Sequence, residues 1–332
     1  MSVEPADYLP EILLLIRDFV MKTRHPLGMN TKQCDWCREV SDKVSEESRT
    51  LIYGGCLYNV MGFTHKLSSV LGIIMKEPTK EARLKILRRL RFLSSISRKI
   101  LKESREYTGI PVMALEILDK LGYEVRCLNE EPYSGALLYD LGFWNELKEY
   151  GSWLTQFFKE RGVERIIVLD PHTYDLFAHV YPEMMSDFDF EIINFIDIIL
   201  EEVKTGKLSL SLNEKTIVTY HDPCHYSRSP HRRIIDEPRE ILNSIEGVEL
   251  REPSNTKNLS ECCGGPLEFI FPFLSEEVAK MRFNELMNTG AKYIVTACPI
   301  CQLNFYRAAK KHKESKIIDI IELVYHGMRR WR

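Results

Sequence analysis

Five cysteines in the last third of the chain have the residue type and spacing of a metal site. Cys224 lies in "HDPCH", Cys262 and Cys263 are adjacent in "LSECCGGPLEF", and Cys298 and Cys301 end "TACPIC". Soft thiolates select zinc, Cu(I) or iron–sulfur clusters. Four thiolates complete a tetrahedral zinc site, whereas a fifth in a vicinal pair suits a cluster in which one sulfur bridges two irons. We therefore expect an iron–sulfur cluster, with a structural zinc site, a vicinal disulfide or plain buried thiols as the alternatives.

The residues beside these cysteines favour a tight site. Gly264 and Gly265 let the backbone approach closely and adopt conformations that a side chain would forbid. Pro299 stiffens the turn between the last two cysteines. Asp222 could serve simply as a turn residue before a proline. Four polar residues flank Cys224 and are candidates for tuning the site through hydrogen bonds: His221, Asp222, His225 and Arg228.

Composition and length place the chain among ordinary globular proteins. Its 332 residues are enough for two domains, and its net charge of -3 gives no global attraction to nucleic acid or to a membrane. The first 20 residues lack the positive start of a secretory signal and predict an amphipathic helix. No run approaches the roughly 18 apolar residues that span a bilayer. We expect a cytoplasmic protein, soluble or peripheral on the cytoplasmic membrane face, with no nucleic-acid partner.

The other four cysteines are scattered along the first part of the chain. Because cytosolic thiols are kept reduced, the nine cysteines favour a metal site or redox chemistry over a disulfide framework. Cys34 and Cys37 have Cys-x-x-Cys spacing, but they lie one turn apart on a helix-like segment with no second pair nearby. We expect them to be helical surface or core thiols rather than a metal or redox pair. Cys127 ends a strand pattern and is expected to be a buried small hydrophobe.

The elements that must position these residues follow an α/β pattern. Strand-like runs such as "RIIVLD" and "KTIVTYHD" alternate with longer helical patterns, which predicts parallel sheets. The two halves of the chain are also related by an internal repeat. Its matched segments are 116–125 with 240–250, 132–146 with 261–276, 161–177 with 289–305, and "FEIINFIDIILEEV" with "SKIIDIIELVYHGM". The five cysteines follow the ends of predicted strands, and the carboxyl ends of parallel strands share one sheet edge, so they can converge there.

A family resemblance rests on these same motifs. "YHDPCH" with Arg228, "DEPREIL", "CCGG" and "TACPIC" together resemble the cysteine-rich CCG domain of the B and D subunits of heterodisulfide reductase, and of the iron–sulfur subunits of glycolate- and lactate-oxidising enzymes. The resemblance covers most of the chain and implies two tandem Rossmann-like CCG domains with parallel sheets. It also implies one noncubane [4Fe-4S] cluster per intact motif. The ligands that it implies here are Cys224, Cys262, Cys263, Cys298 and Cys301.

The resemblance divides the chain into three parts. These are an N-terminal helical segment at 1–49, a degenerate first CCG domain at 50–210 with a basic helical insertion at about 75–105, and an intact second CCG domain at 211–332. The insertion is expected to be a solvated helical hairpin, with a protein partner or a membrane surface as the alternatives for its basic amphipathic face.

The first copy has lost most of the motif. Only Cys56 matches a motif cysteine; Tyr133 and Ser134 stand at the vicinal pair, and Asp170 and Thr173 stand at the Cys-x-x-Cys. One thiolate cannot hold such a cluster, so we expect one cluster per chain and a first domain kept as scaffold or as a wall of the site.

Two minor roles stay open for the residues of this eroded motif. Cys56, Asp170 and His172 are of the types that bind zinc, but they offer no fourth ligand. Asp170 could instead supply a charge or a proton to whatever binds opposite the cluster.

The function implied is that of a redox protein within a complex. The chain has no ferredoxin motif of its own, so electrons must pass to or from another chain: a ferredoxin-like iron–sulfur subunit, similar to the C subunit of heterodisulfide reductase, and/or an FAD-containing subunit. We expect an iron–sulfur subunit of a heterodisulfide reductase-like or flavin-linked oxidoreductase complex that relays electrons through one cluster. The alternatives are a catalytic disulfide or thiol reductase subunit and a structural zinc-binding scaffold subunit.

Overall fold

Two parallel sheets form the centre of the computed structural model, which describes residues 10–56, 58, 105–309 and 316–328. The α/β class with parallel sheets that the sequence predicts is therefore confirmed. The basic insertion expected at about 75–105 lies outside the described residues except for its final position. The strands are β1 Thr50–Tyr53, β2 Arg165–Val168, β3 Glu191–Asn194, β4 Ser211–Tyr220, β5 Glu246–Leu250, β6 Tyr293–Thr296 and β7 Lys316–Asp319.

Helices cover both sheets. Short 3-10 helices at Thr31–Gln33, Trp36–Lys43, Lys257–Leu259 and Pro266–Phe269 and a π-helix at Leu176–Val180 supplement the α-helices. The α-helices are α1 Glu11–Thr23, α2 Arg105–Lys120, α3 Ala136–Asp140, α4 Trp144–Lys159, α5 Pro171–Asp175, α6 Tyr181–Met184, α7 Phe195–Lys204, α8 Cys224–Ser227, α9 Glu237–Ser244, α10 Pro272–Met287, α11 Pro299–Ala308 and α12 Ile320–Met328.

The two sheets have the same strand order relative to the chain. The first runs β1-β2-β3, and a parallel bridge from Leu51 to Arg126 adds a further position beside β1. The second runs β5-β4-β6-β7. In each sheet, therefore, the first strand of the half lies between two segments that come later in the chain. These are the Arg126 bridge and β2 around β1, and β5 and β6 around β4. β-branched runs such as "TIVTY" in β4 and "YIVT" in β6 are buried along almost their whole length, as expected for strands covered on both faces.

The halves pack against each other beside the carboxyl ends of the strands. Helix α5 contacts α8, α7 contacts α9, and α2 contacts α12. Asn194 Nδ2 donates a hydrogen bond to the buried hydroxyl of Tyr226 across this boundary at 2.9 Å. Arg232 binds the Asp197 carboxylate with two nitrogens, at 2.6 and 2.7 Å. Side chains of the first half therefore line the environment of Cys224.

Disulfides hold the N-terminal segment on the first half, and the prediction of free thiols there was wrong. Cys34 is bonded to Cys56, and Cys37 is bonded to Cys127. Cys34, Cys37 and Cys56 are buried, and Cys127 is partly buried. The two cysteines of the Cys-x-x-Cys are close in sequence but are not bonded to each other. Each is bonded to a distant cysteine that the fold places beside it.

The Cys37–Cys127 disulfide should contribute measurably to stability. It joins positions 90 residues apart, so it removes much chain entropy from the unfolded state. We expect Cys127→Ser to lower the free energy of unfolding by about 2–4 kcal/mol in urea titrations of oxidised protein. After reduction, wild type and variant should unfold alike. Equal stability before reduction would contradict the bond.

None of the helices in the described ranges is long and apolar enough to traverse a membrane.

Candidate functional site

The five cysteines meet at the carboxyl edge of the second sheet. Cys224 begins α8 just after β4, Cys298 directly precedes α11 after β6, and Cys301 lies in the first turn of α11. The vicinal pair, Cys262 and Cys263, lies in the segment between β5 and α10. A small cavity at this edge is lined by Cys224, Cys262, Cys263 and Cys301 together with His221, Asp222, Arg228, Ser260 and Glu261.

Four of the five sulfur atoms form one hydrogen-bonded set. Cys263 hydrogen-bonds to Cys262 and Cys301, and Cys301 hydrogen-bonds to Cys298. Cys263, Cys298 and Cys301 are buried, Cys224 is partly buried, and Cys262 is exposed. Five unbonded thiols gathered at one edge, with only one open to solvent, are a donor set suited to a soft metal or cluster.

Gly264 fixes the turn that follows the vicinal pair. Its φ is +83°, which favours glycine, and a Cβ built there would lie 2.5 Å from the Ser275 carbonyl oxygen. The Ser275 hydroxyl in turn donates a hydrogen bond to the Gly264 carbonyl at 2.9 Å. The start of α10 therefore holds the cysteine loop against the sheet edge, with no room for a side chain.

Electrostatics favour thiolate at two of the five positions. Burial raises the pKa of the Cys298 thiol, but a hydrogen bond with Cys301 and the nearby His172 outweigh it and lower that pKa to about 6. Hydrogen bonds from Cys262 and Cys301 hold the pKa of Cys263 well below its ordinary value. Burial raises the pKa of Cys224 to about 11. Cys298 and Cys301 also lie at the amino end of α11, where the helix dipole favours negative charge.

Two arginines, the buried Arg282 and the exposed Arg228, support the cysteine loop. The fully buried Arg282 donates from Nε to His221 Nδ1 at 3.2 Å and from Nη2 to the Ser260 hydroxyl at 3.0 Å. Arg228 donates to the Ser260 carbonyl. His221 lies with Cys263 and Cys301 in a group whose ligand atoms are within 4.8 Å of one another. Of the four polar residues predicted to flank Cys224, His221 and Arg228 thus act on the loop that carries the vicinal pair.

Asp222 has a structural role. Its carboxylate accepts two hydrogen bonds from Arg239, at 2.7 and 2.9 Å, and one from the Lys257 backbone N–H at 2.8 Å. Asp222 and Arg239 are both buried. The interpretation of Asp222 as a residue that fixes the turn, rather than one that tunes the sulfurs, fits these contacts.

His225 reaches across to the first half. Its Nε2 lies 3.1 Å from Asp140 Oδ1, and its Nδ1 lies 3.1 Å from Asp175 Oδ2. His172 Nδ1 lies 3.3 Å from the other oxygen of Asp140, and the same ring hydrogen-bonds to Cys298. The two imidazole rings have their centroids 4.1 Å apart. This group connects the first half directly to the cysteine site.

Sequence reasoning missed Asp140 and Asp175. No motif marks them, and both lie in the first half, far in sequence from Cys224. The only available signal was indirect: Asp140 ends the short helix that follows "PYSG", at the positions aligned with the vicinal cysteine loop.

Tyrosines occupy the corresponding edge of the first sheet. Tyr150 donates to the Tyr133 carbonyl at 2.5 Å, and Tyr181 donates to the Ser134 carbonyl at 2.9 Å. Gly135 has a φ of +94°, and a Cβ on it would lie 2.6 Å from the Tyr181 hydroxyl oxygen. The glycine turn is thus kept, but buried aromatic rings pack where the aligned half carries its vicinal cysteines.

Cys56, Asp170 and His172 each have other partners. Cys56 is bonded to Cys34, and Asp170 Oδ1 accepts a hydrogen bond from the Thr173 backbone N–H as the N-cap of α5. His172 contacts Asp140. The three residues do not lie together in any group of potential metal ligands in the described part of the chain. The groups with unbonded donors are His221 with Cys263 and Cys301, and Asp140 with His172 and His225.

Glu131 makes the stability of this region pH-dependent. Burial raises its pKa to about 7, although Trp36 Nε1 and the Gly54 and Cys56 backbone N–H groups donate to it. Because its pKa is raised on folding, the folded chain holds an extra proton between the ordinary carboxyl pKa and about 7. Its contribution is therefore complete at low pH and lost as pH rises through about 7.

We expect wild type to lose up to about 3 kcal/mol of stability relative to Glu131→Gln between about pH 4.5 and about pH 7.5. The measurement is urea unfolding of both proteins across that range. The difference between the proteins is the relevant quantity, since burial also raises the pKa of Glu268 to about 7. A constant difference would refute the assignment.

Comparison with known proteins finds a family match over the segment that carries the five cysteines. Residues 218–306 match the family "Cysteine-rich domain", CCG, and this range contains all five cysteines. The resemblance drawn from the motifs is thereby confirmed.

Similar proteins are named as oxidoreductases or as subunits of them. The chain is 29% identical to "Probable iron-sulfur-binding oxidoreductase FadF" of Bacillus subtilis over 65% of its length and 31% of the relative's. It is 27% identical to the D subunit of "Dihydromethanophenazine:CoB--CoM heterodisulfide reductase" of Methanosarcina mazei, covering 64% of this chain and 53% of that one. It is also 27% identical to "EtfAB:quinone oxidoreductase" of Syntrophomonas wolfei, covering 67% and 32%. The chain spans about half or less of the length of these relatives.

Proposed function

We propose that the chain is an iron–sulfur redox subunit of a multi-subunit oxidoreductase, similar to heterodisulfide reductase, and that it relays electrons through one noncubane [4Fe-4S] cluster. The proposed ligands are Cys224, Cys262, Cys263, Cys298 and Cys301. The observation that carries the proposal is the convergence of five unbonded cysteine sulfurs on one sheet edge inside the segment that matches the CCG domain. A structural zinc site would need only four of them.

The chain's own groups would stabilise the negative charge of such a cluster. The amino end of α11, the His172 contact with Cys298 and the His221–Arg282 pair all present positive charge or N–H groups to the sulfurs. Hydrogen bonds to sulfur, net charge and solvent access set the potential of an iron–sulfur cluster. We expect these contacts to raise the potential relative to a cluster without them.

Electrons would enter or leave through the exposed side of the vicinal pair. Cys262 is exposed, and large apolar side chains near it in the chain are also exposed: Leu259 by 70%, Phe271 by 56% and Phe273 by 55%. We infer that these side chains contribute to one exposed apolar surface, and contiguous surfaces of this kind mark protein contacts. The partner is proposed to be a ferredoxin-like iron–sulfur subunit and/or an FAD-containing subunit. Peripheral contact with a cytoplasmic membrane face through the basic insertion belongs to the same proposal.

Relay is favoured over disulfide cleavage between two clusters. The first half has no second set of five cysteines, and the aligned turn is packed with Tyr133, Tyr150 and Tyr181. A catalytic disulfide or thiol reductase with a single cluster is the second candidate. What supports it is the pair His172 and His225, which lies beside the cysteines and could supply protons to product thiols.

Metal and sulfide content tests the proposal. The full chain would be purified anaerobically, and its iron and acid-labile sulfide measured with EPR spectra of the oxidised and reduced forms. About four irons and four sulfides per chain, in a brown protein, would support one cluster. A colourless protein that holds zinc without sulfide would turn the five cysteines into a scaffold site and remove the redox function.

A further inference from the structure

Asp140, His172 and His225 form a compact donor group outside the five cysteines. Their three ligand atoms lie within 4.8 Å of one another. They come from three elements, since Asp140 ends α3, His172 lies in α5 and His225 lies in α8. The side chain of His172 is 4% exposed, that of Asp140 8% and that of His225 15%. Two imidazoles and one carboxylate in this arrangement match a metal site with one open position.

Two of the donor atoms face each other as an ion pair without a well-aligned hydrogen bond. Among the described residues, Asp140 Oδ2 and His172 Nδ1 are buried and make no hydrogen bond, although they lie 3.3 Å from each other. Their alignment is not that of a hydrogen bond. Two ligands at about 2.0–2.1 Å from a tetrahedral ion are separated by about 3.3 Å, which is the spacing seen here. An ion at this point would satisfy both orphaned atoms.

The remaining nitrogen of His225 is held as it is in metal-binding histidines. Its Nδ1 lies 3.1 Å from the Asp175 carboxylate, whose other oxygen accepts a hydrogen bond from the Ser229 hydroxyl at 2.8 Å. A carboxylate on the far nitrogen fixes the ring tautomer and makes the near nitrogen a better ligand. Nε2 of His225 then faces Asp140 Oδ1 at 3.1 Å.

The arrangement of the rings and carboxylates points the same way. The ring centroids of His172 and His225 lie 4.1 Å apart, so one ion can reach both imidazoles. The Asp140 and Asp175 carboxylates beside the rings would balance the charge of a divalent ion. We propose that Asp140, His172 and His225 bind one Zn²⁺ ion at the boundary of the two halves, with one coordination position open. This inference is independent of the cluster and adds a nitrogen- and oxygen-ligated metal beside it.

The test is reconstitution of the full-length protein. Anaerobically purified chain would be treated with EDTA and dialysed against Zn²⁺, and zinc, iron and sulfide would be counted. Zinc K-edge X-ray absorption would then identify the ligands. We expect one zinc per chain with a first shell of nitrogen and oxygen only. No bound zinc, or zinc with sulfur ligands, would overturn the proposal, because sulfur would place the ion on the cysteines instead.

Substitutions distinguish zinc binding at this site from cluster binding at the cysteines. Asp140→Ala and His225→Gln should each lose the zinc and keep the iron and sulfide. Asp175→Asn should weaken zinc affinity about 10–100-fold, as loss of a supporting carboxylate does. His231→Gln is the matched control, because His231 follows α8, pairs with Glu183 and lies outside the donor group. This variant should bind zinc normally. Unchanged zinc in both Asp140→Ala and His225→Gln would overturn the proposal.

The outcome does not depend on the variants folding well. The absorption spectrum of wild-type protein reports the ligands directly. The failure of this inference is also distinguishable from the failure of the proposed function, since zinc reports on one site and acid-labile sulfide on the other.

Discussion

Cys263→Ser is expected to abolish cluster binding, lowering iron from about four per chain to a small residue. Cys263 is the buried member of the vicinal pair and contacts both Cys262 and Cys301, so its loss breaks the centre of the donor set. A serine oxygen is a poor ligand for a site built from soft thiolates. Iron and sulfide assays on anaerobic protein, with the visible spectrum, measure the effect.

The fold should survive this substitution. The cysteines lie on a loop and at helix starts, whereas the cores consist of the strands and the helices that cover them. Far-ultraviolet circular dichroism should therefore match wild type. Cys37→Ser is the control, since this cysteine is bonded to Cys127 and should leave iron unchanged. Full iron in Cys263→Ser, or iron loss in Cys37→Ser, would contradict the assignment of ligands.

Gly264→Ala should also deplete the cluster, by at least threefold in iron per chain. The new Cβ would lie 2.5 Å from the Ser275 carbonyl oxygen, a distance that forces the loop or the start of α10 to move. Since that loop carries Cys262 and Cys263, displacement spoils the geometry of two ligands together. The left-handed φ of +83° adds a conformational cost of about 1 kcal/mol.

Gly122→Ala separates the steric effect from the conformational one. Gly122 has a nearly equal φ of +81°, but a Cβ there would meet nothing within 4 Å. We expect it to lose about 1 kcal/mol of stability and no iron. If both variants kept their iron, the close approach of Gly264 to Ser275 would not be needed for the site. Iron loss in both would point to general destabilisation.

The cysteine edge was predictable because it follows from local patterns. Buried β-branched runs mark β4 and β6, and Cys224 and Cys298 follow these strands within a few residues, so a parallel sheet must bring them to one edge. The glycines after Cys263 signalled a turn with unusual backbone angles, and Gly264 has one. These inferences needed only spacing and the geometry of a sheet.

The disulfides and the histidine–carboxylate group were beyond such reasoning. Cys37 and Cys127 are 90 residues apart, and no periodicity relates them. Asp140 meets His225 only because the two halves pack together, and that contact depends on the shapes of both surfaces. His172 was a correct candidate for a metal site, but its partners lie on elements whose relative placement is not encoded in any short motif.

The pairing of the cysteines also means that the number of reactive thiols differs between the assembled and the unassembled protein. Of nine cysteines, four are in disulfides and five are unbonded, so no thiol is left over once the five hold a cluster. An alkylating reagent followed by mass spectrometry would then add no label to the loaded chain, five labels after the cluster is removed and nine after full reduction. Thiol labelling can therefore report how completely a preparation is assembled, molecule by molecule, without any assay of its activity.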